Sequence, residues 1–116
     1  MDSKFLGSAV EMLILEVAGQ GSTYGYELAQ TVAERSNGYF ELKEGSLYPA
    51  LHRLERQKLL RSFWREAEGR RRKYYELTQA GRAELADRKR SWQSFAAGVN
   101  GVLGTNRAEL AGGASN

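Results

Sequence analysis

Residues 45–78 read GSLYPALHRLERQKLLRSFWREAEGRRRKYYELT, and this stretch decides the fold. Leu47, Leu51 and Leu54 stand at i, i+4 and i+7, the spacing of one buried helix face. Ser46, Pro49, His52, Arg53 and Arg56 then point the other way, and Tyr48 falls on the border between the two faces. The helix is expected to begin near Gly45 or Ser46. Pro49 then lies in its first turn, where a missing amide hydrogen costs little. Leu59–Glu66 follows as a strand carrying Phe63 and Trp64, Ala67-Glu68-Gly69 is a turn, and Arg72–Leu77 is a second strand. Alternation along that strand places Arg72 with Tyr74 on one face and Lys73 with Tyr75 on the other.

Upstream, a first helix is expected from near Ser8 to Ala18. Leu6, Val10, Leu13 and Val17 form one stripe, while Phe5, Ala9, Met12 and Leu15 spread apolar surface beyond it. Such a helix must be covered on more than one side, and a second copy of the chain is a natural cover. Gly19–Thr23 reads as a turn. Thr23 is the expected N-cap of a second helix, with Glu27 in its first turn and Tyr24, Leu28 and Val32 on its buried face. Asn37-Gly38 offers the left-handed geometry that ends helices, and Tyr39–Lys43 is short and extended.

Downstream, Thr78 is a plausible cap for a last helix. Leu85, Trp92, Phe95, Val99 and Val102 follow at spacings of 7, 3, 4 and 3, a heptad-like stripe suited to dimerisation. Gly98, Gly101 and Gly104 weaken its end by about 1 kcal/mol each relative to Ala. The tail from Gly104 to Asn116 is rich in small polar residues and reads as frayed. The expected class is mainly α with a small β-hairpin: a winged helix-turn-helix over residues 1–78, a dimerisation helix over 79–103 and a flexible tail over 104–116.

The 116 residues include no cysteine and one histidine, His52, and carry a net charge of +3. The charge is uneven. Met1–Leu51 has three Lys/Arg against seven Asp/Glu, whereas His52–Lys73 has nine against three. A basic block of this kind suits a polyanion such as DNA, although a solvated basic face is the plainer reading. No leader peptide or membrane-length apolar run is visible, so a cytoplasmic protein is expected. Nucleophile elbows, phosphate loops and metal-ligand clusters are likewise missing, so no enzyme activity, cofactor or metal is expected.

Three pieces carry a resemblance: YGYEL at Tyr24–Leu28, GSLYPALHRLE at Gly45–Glu55 and GRRRKYYELTQAG at Gly69–Gly81. In that order and spacing the chain resembles the PadR family, the phenolic-acid-decarboxylase repressor type, over about residues 5–81. The short C-terminus is similar to the subgroup with one C-terminal helix. Lys58, where the family often has glycine, and the glycines of the last helix depart from the pattern. The resemblance implies a homodimeric winged-helix repressor of double-stranded DNA with an inverted-repeat operator. It implies DNA contacts from Lys43, Ser46, Tyr48, Pro49, Arg53 and the wing residues Arg70, Arg71, Arg72 and Lys73.

Some of these residues also have a plainer reading, the wing's being an exposed basic hairpin. Ser46 reads equally as a simple N-cap, and Tyr48 as a core-border aromatic. Dimerisation falls to Phe5, Met12, Leu85, Trp92, Phe95 and Val99. The resemblance implies a further role for Trp92 and Phe95, bordering a pore at the dimer centre that holds small planar hydrophobic ligands. The rival function is a winged helix that binds only protein; it has no need of the basic block.

Overall fold

The computed structural model of the chain describes residues 3–105, with side chains from residue 9 onward. Helix α1 spans Ser3–Gly19, strand β1 Thr23–Tyr24, α2 Gly25–Arg35 and α3 Glu44–Arg56. Strands β2, Leu60–Ala67, and β3, Arg70–Leu77, precede α4, Gln79–Leu103. Three helices followed by a β-hairpin make a winged helix-turn-helix, the fold class expected from the sequence. The antiparallel sheet runs β1-β3-β2, so the expected hairpin gains a third strand.

α1 starts earlier than expected and is the central helix. Ile14 and Leu15 are fully buried, and Val10, Val17 and Ala18 are buried beside them. The chain's own α2, α3 and β3 pack against α1. The 3.6-residue stripe missed Ile14 because the segment is apolar on nearly every side. From α2 and α3, Leu28, Val32, Leu47, Ala50, Leu51 and Leu54 join the core, and the sheet adds Leu60, Tyr75 and Leu77. Each fully buried aliphatic side chain contributes about 1.5–3 kcal/mol before entropy is subtracted. Met12 is half-buried; the side chain of Phe5 lies outside the described residues.

Thr23 is not the N-cap of α2. That position falls to Tyr24, which has extended backbone and no side-chain cap. Thr23 instead pairs with Tyr75 in the sheet, is buried, and donates its hydroxyl to Glu27 Oε1 at 2.8 Å. Threonine suits a strand as readily as a cap. α2 ends as expected, with Asn37 at φ 52° and Gly38 at φ 80°.

α3 begins at Glu44, so Pro49 is not in the first turn but within the helix. Its missing N–H leaves the Gly45 carbonyl without an i+4 donor. Gly45 is exposed, so water can fill that role.

Thr78 caps α4 as expected. Its Oγ1 accepts the Gly81 N–H at 2.9 Å and donates to the Lys58 carbonyl at 2.7 Å. α4 runs through Gly98 and Gly101 and stops at Gly104, φ 86°, whose N–H donates to the Asn100 carbonyl at 2.9 Å. The chain divides into two compact units after Leu85. The first turns of α4 belong to the first unit because Leu85 packs on its core.

Candidate nucleic-acid interface

The interface is built on α3. Its N-cap is Lys43, in extended conformation without a side-chain cap. The Lys43 carbonyl accepts the Ser46 and Leu47 amides at 3.0 and 2.8 Å. Ser46 is therefore inside the first turn and not the cap. Its hydroxyl donates to the same carbonyl at 3.3 Å, a long bond that a phosphate oxygen can replace. Lys43 lies 3.9 Å from Glu41, with both side chains in water, a pair worth little.

Burying Leu47, Ala50, Leu51 and Leu54 turns Ser46, Pro49, His52, Arg53 and Arg56 outward, and all five are exposed. Tyr48 sits on the border at 37 % exposure. Its phenol lies against Gly25: a methyl group placed there would stand 2.6 Å from the Tyr48 hydroxyl oxygen. Gly25 is thus the floor on which Tyr48 rests, a role invisible in the sequence. Arg53 donates from Nε to Glu11 Oε2 at 3.0 Å, so its guanidinium is tied to α1.

The wing turns at Glu68-Gly69, with φ 55° and 75°, as a two-residue hairpin of the twist-matching kind requires. Arg70 and Arg71 stand exposed at its tip. The next two basic residues are engaged with the protein, and on opposite faces, as alternation predicts. Arg72 lies over the Tyr24 ring at 4.4 Å, and Glu68 is 3.9 Å away. Among the described residues its buried Nε has no hydrogen-bond partner. Beside it, Tyr74 packs edge-on to Tyr24 and stacks on Phe63, with Arg65 4.5 Å above it. This face is a brace of rings and guanidiniums.

On the other face Lys73 lies 3.6 Å from Glu55 Oε1 and over the Tyr75 ring. Glu55 Oε2 also accepts the Ser62 hydroxyl at 2.5 Å. One carboxylate on α3 therefore holds both strands of the wing. The Tyr75 hydroxyl is pushed up to about 12, first by burial, then by Glu55 and Tyr48, so it stays protonated. Glu55, Gly25 and Glu11 all escaped the sequence reading, because each acts through a partner distant in the chain.

An exposed helix face and a basic hairpin, locked together by Glu55, are an apparatus for a duplex. The transcriptional regulator PadR-like family model matches residues 14–87. The chain belongs to the PadR-like family.

This PadR-like protein is 39 % identical over 98 residues to the transcriptional regulator Rv3488 of Mycobacterium tuberculosis, covering 84 % of this chain and 89 % of that one. It matches the crystal structure of a PadR-like transcriptional regulator from Bacillus cereus at TM-score 0.77 and 32 % identity, covering 89 % and 99 % of the two chains. A PadR family regulator from Clostridium difficile matches at TM-score 0.73 and 38 % identity, over 81 % and 97 %. Members of the PadR-like family are transcriptional regulators rather than enzymes, and this chain is a DNA-binding regulator of that kind. Among the described residues no helix is long and apolar enough to cross a membrane.

Proposed function

We propose that this PadR-like protein is a homodimeric repressor, working in the cytoplasm, that reads an inverted-repeat operator with α3 and grips the flanking backbone with its wing. The observation that carries the reading is the joint exposure of the α3 face and the wing tip on one compact unit, tied by Glu55. Lys43 and Ser46 meet phosphate at the helix start. Tyr48 and Pro49 meet base edges, chiefly thymine methyls. Arg53 exchanges Glu11 for phosphate or base. Arg70 and Arg71 supply the wing's main contacts, with Arg72 and Lys73 taking a smaller share. A dimer covering its operator blocks transcription by occupancy alone.

Support for the dimer comes from α4, where Trp92, Phe95, Val99 and Val102 form an apolar stripe left exposed in the single chain. Trp92 and Phe95 are 44 % and 52 % exposed, with ring centroids 5.9 Å apart. We assign to this pair the binding of planar hydrophobic ligands that release the operator. In a Trp64→Phe chain, planar aromatic compounds should quench the Trp92 emission; no quenching from any member of a broad panel contradicts this assignment.

Sequence reading is tested at Tyr48. Tyr48→Ala should cut the preference for the promoter of its own operon over random duplex by about tenfold. Gly25→Ala should shift the same ratio in the same direction with little change in Tm, because its methyl meets only the movable end of a side chain. Equilibrium binding to both duplexes decides. A ratio unmoved in both variants removes Tyr48 from the interface.

A further inference from the structure

Trp64 leaves 56 % of its surface in water, an unusual fate for the largest side chain. It stands on the core face of the hairpin, in line with Leu60 and Ser62 and opposite Lys73. That face packs on α3 as far out as Ser62 and Lys73, the two residues held by Glu55. Trp64 is level with Lys73, at the limit of that cover, and Arg71 lies two pairs further out, on the same face. The indole therefore lies on the α3 side of the wing without filling the core.

Its surroundings are cationic. The Arg71 guanidinium lies over the indole at 4.9 Å, and Lys73 is its cross-strand partner. A guanidinium stacked on a ring keeps its N–H edge free to meet a phosphate in the plane. The ring offers a flat apolar surface that packs on deoxyribose or an exposed base edge without regard to sequence. Aromatic plate and cation together match the sugar–phosphate strand of a duplex, whereas an acidic protein surface would use the cations and leave the plate idle.

We propose that Trp64 is a DNA contact, closing with Arg71 against the backbone of the duplex that α3 reads. This rests on the DNA-binding reading above and adds a residue to it. Because the contact is independent of sequence, the probe is a short random-sequence duplex with a fluorescein label, titrated at low salt. Anisotropy reports binding, and tryptophan emission reports the indole. In the wild-type chain the emission should fall as anisotropy rises. In Trp64→Phe the anisotropy should still rise while that emission change disappears. Trp64→Ala should weaken binding about tenfold. Emission that still falls in Trp64→Phe, or a Trp64→Ala chain that binds like wild type, overturns the proposal and leaves DNA binding intact. A wild-type chain that gives no anisotropy rise sinks the DNA-binding reading and this contact with it.

Discussion

Replacing Arg70 and Arg71 together by alanine lowers the affinity for duplex DNA about a thousandfold and flattens its dependence on salt. The two residues stand exposed at the wing tip. A dimer presents four such arginines. At about 1 kcal/mol for each exposed ion contact the loss is roughly 4 kcal/mol, or three decades. Each phosphate contact removed also takes about one unit off the slope of log K against log salt. A dimer with a slope of about −5 to −9 should therefore fall to about −1 to −5. Arg72→Ala should move that slope far less, because its side chain is only 22 % exposed and its Nε is buried. Titrations at several salt concentrations separate the two. A double variant with the wild-type slope, or an Arg72 variant that matches the double one, would relocate the wing's contacts.

Gly81→Ala lowers Tm by about 10–20 °C, the signature of about 3 kcal/mol of overpacking. A Cβ at Gly81 would sit 2.2 Å from the Leu59 carbonyl oxygen and 2.6 Å from the Leu77 side chain. The carbonyl cannot retreat, since it accepts the Thr78 N–H at 3.1 Å while the Thr78 hydroxyl bonds the neighbouring Lys58 carbonyl. The close approach lets α4 leave the sheet directly over the start of β2. Gly101 is the control: a methyl there meets open space, so alanine should stabilise the helix slightly. Thermal unfolding of the two variants decides, and equal Tm values would show that α4 does not need the glycine.

What could be read from the sequence was what repeats locally. Leu47, Leu51 and Leu54 announced α3 by period, the alternation of Arg72–Tyr75 announced both faces of β3, and Thr78 announced the α4 cap. The misreadings have physical causes. α3 begins at Glu44 after a lysine whose side chain caps nothing, so no cap residue marked its start. β1 is two residues long, too short for any period to show. Within the site, the outward face of α3 was legible because burial of the leucines dictates it. The restraints on that face were not. Arg53 to Glu11 spans 42 residues, and the Tyr48 ring on Gly25 joins two helices, so only the folded chain brings them together. Trp64 did leave a signal: two steps beyond Ser62 on an alternating strand, it lies past the reach of the core.

Hydroxyl-radical footprinting of the protein on its own promoter tests the central claim most directly. Two α3–wing units related by a two-fold axis should protect two equivalent patches, centred about one helical turn or a whole multiple of it apart. Protection that lacks this symmetry, or no protection at concentrations where the protein is folded, would contradict a dimer reading DNA through α3 and the wing.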